Sequence, residues 1–531
     1  DVCSSDLETN LTRLKGIEAN CLLRNLEIMK QRTTILALSL VLIPLSAFAD
    51  IKPARLFTDH MVIQRDTKAP VWGSAEAGEA VSVTGSWGAS AQATANDSGK
   101  WRVDLQTPPA GGPHTITLEG KNKIVLQDVL SGDVWLCSGQ SNMEWPVSKA
   151  QNPSDEAAAA NYPRIRHFMV QKNPSLTVVA DCAGAWEVCS PETVRDFSAT
   201  AYFTGRELEG NLDVPIGLLV SAYGGTCVEA WTNWEDQSED PFALERKKTI
   251  DAKAENYTPE KAQAAYEKKL KAWNEAAMAV KAEKKRPPRK PLPPADPRLD
   301  KNYPSNLYNG MLQPLVPYAI KGVVWYQGES NAKEVDSAFH YRIQLPRLIQ
   351  NWRRDWGYDF PFFAVQLPEF KAPQEDPVES ADAWPPIRES FVHAAGNTPG
   401  VFTATMLGLG EAGNIHPKNK QGVGQRMAST ILNKVYAKGT PTTPFLKSSS
   451  IEGGKVLLDF EFTGSGLEAK GDRLQGFAIA GEDKNFVWAE AEILPEGGGS
   501  RVVVHSPEIK SPVAVRYAWA DNPAVAKIGR A

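Results

Sequence analysis

The sequence is poor in the residues that build metal centres and disulfide frameworks: its 531 residues include only six cysteines and seven histidines. No CxxC pair occurs, and no Cys/His spacing suggests zinc, so no metal and no other cofactor is expected. Positive charge is not in excess either. The formal net charge is -5, which gives no electrostatic basis for holding a phosphate backbone and argues against a nucleic-acid partner. No apolar run reaches the roughly 20 residues that a membrane-spanning helix needs, so no stable membrane anchor is expected. What is present is an ordinary soluble composition, 42% hydrophobic and 23% charged, in a chain too long for one compact core.

The longest apolar stretch, Ile35 to Leu45, follows Met29, Lys30 and Arg32 and precedes Ala47-Phe48-Ala49. That is the order of charged region, apolar region and small-x-small cleavage site in an export signal. Residues 29–49 are therefore expected to be a cleavable signal peptide, with Asp50 as the mature N-terminus and a periplasmic or secreted product. Nothing before a signal peptide should belong to a fold, so residues 1–28 are expected to be non-native translated sequence. The opening Asp-Val-Cys-Ser-Ser-Asp-Leu can be encoded by a sequencing adapter and the closing Lys-Ile-Gly-Arg-Ala by its reverse complement, which would leave a natural chain from Met29 to about Val525. Of the cysteines that remain, Cys182 and Cys189 either close a small loop, which export permits, or are two buried thiols.

From 50 to 130 short alternating runs such as Val81-Ser82-Val83-Thr84 and Trp101-Arg102-Val103-Asp104-Leu105 are broken by Gly, Pro and Asn-Asp-Ser. This spacing predicts a small antiparallel β-sandwich module. From 131 to 435 apolar strand-like runs alternate with helical patterns. Val134-Trp135-Leu136, Pro215 to Val220, Gly322 to Tyr326 and Phe360 to Val365 are near-continuously hydrophobic, as parallel strands buried on both faces are, so an α/β core with a parallel sheet is expected. Residues 236–300 interrupt it as an insertion, with helical composition from Ala262 to Lys285 and a basic, proline-rich stretch from Lys284 to Pro297. From 440 to 525 short strands return and predict a C-terminal β module.

In open α/β sheets ligands gather at the carboxyl ends of strands, which directs attention to the residues that follow each apolar run. The first is followed by Ser138-Gly139-Gln140-Ser141-Asn142-Met143. A serine on a tight strand-to-helix turn exposes its hydroxyl beside the free N–H groups of a helix start, although a helix N-cap serine has the same local sequence. Tyr223-Gly224-Gly225-Thr226 follows the second, where paired glycines permit close backbone approach to a ligand or simply make a turn. The third leads into Gln327-Gly328-Glu329-Ser330-Asn331, with a side-chain amide at the sheet edge.

A serine nucleophile needs an imidazole to take its proton. His60, His114 and His505 fall in the β modules, while His167, His340 and His393 fall in strand-like or helical text. Only His416 lies in a loop late in the core, Gly413-Asn414-Ile415-His416-Pro417-Lys418, ahead of a helix expected from about Lys420, with Pro417 suited to its first turn.

Taken together, Ser-Gly-Gln-Ser-Asn-Met, Tyr-Gly-Gly-Thr with Glu229-Ala230-Trp231, Trp-Tyr-Gln-Gly-Glu-Ser-Asn and Asn-Ile-His-Pro-Lys-Asn-Lys resemble the sialate O-acetylesterase family, a branch of the SGNH hydrolases. The resemblance runs from about Asp50 to Pro523, apart from the segment 236–300. It implies a three-layer α/β/α core flanked by N- and C-terminal β-sandwich-like modules, and a metal-free serine esterase acting on acetylated carbohydrate. By the same resemblance Ser141 is the nucleophile, His416 the base, and the Ser141 N–H, Gly225 and Gln327 the oxyanion hole. Many SGNH enzymes carry Asp three residues before the histidine, where this chain has Gly413, and relatives often read Asp-x-Gly-Glu where this chain reads Gly408-Leu409-Gly410-Glu411. Glu411 is thus the candidate acid, with a backbone carbonyl orienting His416 as the alternative. Glu329, Asn331, Arg388 and Trp231 are candidate substrate-binding groups, and Trp145, Tyr223 and Trp325 either stack on sugar rings or belong to the core. Sialic acid esters and acetylated plant polysaccharides both fit the motifs. The competing expectation is a glycan-binding protein with a degraded esterase site.

Overall fold

The computed structural model describes residues 50–282, 287–378, 383–470, 473–495, 498–523 and 527–530. The expected signal peptide and the stretch before it lie outside the described residues. The four apolar runs become strands at the centre of a large mixed sheet. In chain order its principal strands are β1 (Val62–Gln64), β2 (Lys123–Gly139), β3 (Tyr162–Met169), β4 (Trp186–Cys189), β5 (Ile216–Ala222), β6 (Gly322–Tyr326), β7 (Phe362–Val365) and β8 (Val401–Ala404). The spatial order is β4-β3-β5-β2-β6-β7-β8. Every neighbouring pair from β3 to β8 is parallel, and β4 closes one edge antiparallel to β3.

The first strand of this parallel array in the chain, β2, lies in the middle, with β5 on one side and β6 on the other. The strand order reverses there, and a crevice opens at the carboxyl ends of the strands around such a switch point. Register sharpens the placement: Gly139 of β2 is level with Ala222 of β5 and Tyr326 of β6. The loops carrying the three motifs therefore leave the sheet side by side.

The principal helices are α1 (Ser141–Glu144), α2 (Ala199–Leu212), α3 (Val335–Trp356), α4 (Trp384–Asn397) and α5 (Lys420–Tyr436). α2 packs against α5 and α3 against α4. The first pair approaches closely at Gly424, where a Cβ would stand 2.5 Å from the Phe203 Cβ. α5 is capped by Asn419, whose side chain accepts from the Gly422 N–H; Pro417 lies before the cap and not in the first turn.

β2 also joins the N-terminal strands to the core, since its first half pairs antiparallel with Gly111–Glu119 and parallel with β1. The boundary expected at 130/131 thus falls within one 17-residue strand, and Val71, Val81, Val83 and Trp101 share a single apolar cluster with the core strands. The C-terminal strands are organised differently. A four-stranded sheet (Phe445–Glu452, Lys455–Glu461, Arg501–His505, Glu490–Leu494) and a three-stranded one (Val487–Trp488, Phe477–Ala480, Ala514–Tyr517) enclose a cluster of their own around Phe477, Ile479, Val502 and Val504.

Among its described residues the segment 236–300 contains two long helices, Pro241–Ala254 and Pro259–Ala282. Its base is fixed by the buried Asp240 carboxylate, which caps the first of them and accepts from His340 Nε2 (2.7 Å), Arg347 (2.5 Å) and Gln344 (3.2 Å), all on α3. Cys182 and Cys189 are separate buried thiols, not a disulfide. Among the described residues no helix is long and apolar enough to cross a membrane.

Candidate active site

The turn from β2 into α1 is possible because residue 139 is glycine. Its φ is +139°, and a Cβ there would stand 2.1 Å from the Tyr326 carbonyl oxygen, so only glycine permits the strand to run this close to β6. The Gln140 N–H then donates to the same carbonyl at 2.9 Å. Ser141 opens α1 with its side chain half-buried. Its hydroxyl does not cap the helix: Ser141 Oγ lies 2.8 Å from His416 Nε2. With the imidazole neutral and protonated on Nδ1, that contact is a hydroxyl donating to a base.

The His416 loop is shaped by its own side chains. Asn414 Oδ1 accepts from the His416 N–H at 3.0 Å, and its amide donates to the His416 carbonyl at 2.7 Å and to Glu411 at 3.1 Å. The other Glu411 oxygen accepts from the Lys418 N–H at 2.6 Å. Burial opposes ionisation of Glu411, but these hydrogen bonds and Lys418 hold its carboxyl below the usual range. Glu411 is thus a loop carboxylate, and the structure corrects its expected role as the acid of a triad. Among the described residues no group bonds His416 Nδ1. The imidazole instead lies flat against Trp145. Burial, with Lys420 and Lys149 nearby, holds its pKa below the ordinary value.

On the other side of Ser141, Gly224 lies so close that a Cβ would stand 3.2 Å from the serine Cβ. The peptide planes of this loop are pinned from outside. The Gly224 N–H donates to Glu144 at 2.7 Å, the Gly224 carbonyl accepts from Lys301 Nζ, and the Gly225 carbonyl accepts from Asn302 at 3.1 Å. Gly225 has a φ of +70°, a left-handed conformation suited to glycine. Among the described residues the N–H groups of Ser141 and Gly225 have no acceptor, which suits them to a developing oxyanion.

Gln327 does not join them. It is fully buried, its amide donating to the Thr226 carbonyl (3.0 Å) and Asn331 Oδ1 (2.8 Å) while its oxygen accepts from the Tyr341 hydroxyl (2.8 Å). The expected oxyanion role is corrected, because both of its N–H groups are engaged inside the protein. Three of the expected substrate-binding residues lie in the same buried layer. Asn331 bonds Glu229, the Val228 N–H and Gln327; Trp231 is packed edge-on against Trp325 with its N–H on Thr226; and Glu329 accepts from Asn142 at 2.6 Å. Arg388 lies elsewhere, donating to the Ala518 and Ala520 carbonyls of the C-terminal strands. All four are buried, so none presents an exposed face to a ligand.

Asn142 and Lys420 stand within the recognised motifs but draw no attention from sequence, since their amide and ammonium look like surface groups. Both are fully buried. Glu144 and Lys301 also escape a sequence reading; no local pattern links Lys301, beyond the insertion, to the Gly224 loop. The neighbouring cysteines are no rival nucleophiles, because burial pushes the Cys227 thiol up to about 12 and Cys137 higher still. His167 is stacked on Phe197 and accepts from the Ser198 N–H, a structural position.

The family model for carbohydrate esterases, sialic acid-specific acetylesterases, matches residues 299–433. A sialate O-acetylesterase of Rattus norvegicus is 28% identical over 88% of this chain and 90% of its own length. The human sialate O-acetylesterase is 27% identical over 92% of each. Among solved structures, a carbohydrate acetylesterase from Xanthomonas citri superposes with a TM-score of 0.73 at 33% identity, covering 89% of this chain and 95% of that one. A serine and histidine in contact at the switch point of an α/β sheet, in a chain this similar to that enzyme, identify a carboxylic ester hydrolase that belongs to the sialate O-acetylesterase family of carbohydrate esterases.

Proposed function

We propose that the protein is an exported serine esterase that removes O-acetyl groups from sugars through an acetyl-Ser141 intermediate. The observation that carries this reading is the 2.8 Å contact between Ser141 Oγ and His416 Nε2. In the first step His416 Nε2 takes the hydroxyl proton as Oγ bonds to the acetyl carbonyl carbon. The charge on the carbonyl oxygen is held by the N–H groups of Ser141 and Gly225. When the tetrahedral adduct collapses, the bond to the sugar oxygen breaks and the imidazolium returns its proton to that oxygen. In the second step water loses a proton to His416 and attacks the acetyl carbon; acetate leaves and Ser141 Oγ regains the proton.

The catalytic residues sit, in this reading, on a three-layer α/β/α SGNH-hydrolase core spanning 131–435, with 236–300 as an insertion and 50–130 and 440–525 as flanking β modules. The aligned carboxyl ends of β5, β2 and β6 support the core, and the separate apolar cluster of the C-terminal strands supports the last division. Export rests on the signal-like pattern of 29–49.

The missing carboxylate on His416 favours the opposite reading, a glycan-binding protein with a degraded site. Hydrolysis of p-nitrophenyl acetate that disappears in Ser141→Ala is the expected result, and a wild-type protein without such hydrolysis would sink the esterase reading. Acetate release from acetylated xylan, xyloglucan and O-acetyl sialic acids then identifies the sugar.

A further inference from the structure

Behind the nucleophile lies a buried polar chain that the mechanism above does not use. The Asn142 side chain is its centre. Asn142 Nδ2 donates to Glu329 Oε1 at 2.6 Å and to the carbonyl of Ile415, the residue before His416, at 3.0 Å. Its Oδ1 accepts from Lys420 Nζ at 2.5 Å. Asn142 is covalently next to Ser141, and Lys420 starts the helix that follows the His416 loop. One amide therefore ties the serine turn to the histidine loop, with a carboxylate at one end and an ammonium at the other. Asn142 and Lys420 are fully buried and Glu329 nearly so. No ion pair joins Glu329 to Lys420 directly; the amide stands between them.

A buried carboxylate and ammonium are costly to keep in the fold, which calls for a reason beyond stability. That reason is the bare Nδ1 of His416. Where a carboxylate would hold the imidazole, this chain has Gly413, and Glu411 is held by the Asn414 amide and the Lys418 N–H. Resting on the esterase reading above, we propose that Asn142, stretched between Glu329 and Lys420, is a positioning residue that holds His416 against Ser141 in place of a carboxylate on the imidazole.

The electrostatics of the chain follow from its burial. Burial brings the Lys420 ammonium down to about 7, against Glu329 and Glu411, which favour its charge. Burial also raises the Glu329 carboxyl. The charged groups around Lys420 are these two carboxylates, with the Tyr326 ring beneath it. Those around His416 are Lys420 and Lys149, both of which disfavour the imidazolium. The clamp thus holds the imidazole in place and biases it to the neutral form that accepts the serine proton.

The test uses the full chain and p-nitrophenyl acetate, with the fold of each variant checked by thermal unfolding. Asn142→Asp keeps an acceptor for Lys420 and removes both donors, so kcat should fall about a hundredfold, as misplaced reacting groups do, with KM within about threefold. Lys420→Met should move the acid limb of kcat/KM to higher pH, a shift that a purely structural residue would not cause. A folded Asn142→Asp with kcat within about threefold of wild type, or a folded Lys420→Met with an unmoved acid limb, would overturn the proposal. Should the variants not fold, wild-type His416 supplies the measurement: its imidazole nitrogen resonances should report one fixed tautomer, protonated on Nδ1, and exchange between tautomers would equally refute the clamp. A wild type with no Ser141-dependent hydrolysis defeats the esterase reading instead, and the resonances still test the clamp.

Discussion

The Trp145 indole lies parallel to the His416 imidazole, with ring centroids 4.7 Å apart and planes 12° from parallel. Its own N–H is held by the Lys149 carbonyl at 3.0 Å, which fixes the plane on which the imidazole rests. In the proposed mechanism His416 takes the serine proton and the stack becomes a cation over an aromatic face, a contact that contributes about 1 kcal/mol. Trp145→Leu should therefore lower kcat roughly fivefold and move the acid limb of kcat/KM downward, because the imidazolium loses support. Steady-state kinetics across pH check both, and a variant with wild-type kcat would show the indole to be a passive neighbour.

The elements carrying this chemistry were legible in the sequence to different degrees. Val134 to Leu136 and Gly322 to Tyr326 read as buried strands because parallel strands covered on both faces have no polar alternation to confuse the pattern. β3 did not, since Arg164, Arg166 and His167 interrupt its apolar residues; Arg166 is nonetheless buried, its guanidinium on Asp128 and neighbouring carbonyls. The meeting of Ser141 and His416 was legible because the nucleophile and base expected of them must both occupy loops at strand ends. Three of the misread residues share one cause. Gln327, Glu329 and Asn331 are polar groups just past a strand, and nothing in one dimension tells a side chain facing a ligand from one facing the next loop. Burial and partner distances make that distinction, and both belong to the folded chain.

The pH dependence has a definite sign. In the proposed mechanism the neutral imidazole is the active form, and burial together with Lys420 and Lys149 holds the His416 pKa below the ordinary value, about 6.5. The acid limb of kcat/KM reports the base in the free enzyme, so it should lie below that value and activity should persist into mildly acidic solution. Lys149→Met removes one of the two cations and should move the limb upward. A limb above the ordinary imidazole value would mean that a carboxylate does reach Nδ1.

Gln327 separates two kinds of loss. An oxyanion donor removed from a serine esterase costs about 2.7 to 4 kcal/mol in the transition state and leaves the fold intact. Gln327 is instead bonded to Thr226, Asn331 and Tyr341 in the interior, and leaving buried partners unpaired costs about 1 to 3 kcal/mol for each group. Gln327→Ala should thus cost about 3 kcal/mol of stability, read as a lower urea midpoint, while the folded fraction keeps kcat within roughly tenfold of wild type. Wild-type stability with a loss of a hundredfold or more would restore Gln327 to the oxyanion hole.

Gly413 and Gly408 offer a gain-of-function comparison. A Cβ built at Gly413 meets nothing within 4 Å, so a side chain enters the loop without a clash. Gly408 has a φ of +85° and its N–H is held by both oxygens of Glu369; a side chain there strains a backbone conformation that glycine alone adopts readily. Gly413→Asp introduces a carboxylate three residues before His416, which would stabilise the imidazolium and fix the Nδ1–H tautomer. The expected outcome is a higher kcat at neutral pH, with the acid limb moved upward because an adjacent anion favours the charged ring. Gly408→Asp should lower stability and leave kcat no higher. If Gly413→Asp moves the limb without raising kcat, the Asn142 clamp and the Trp145 stack already hold the imidazole as well as a carboxylate would.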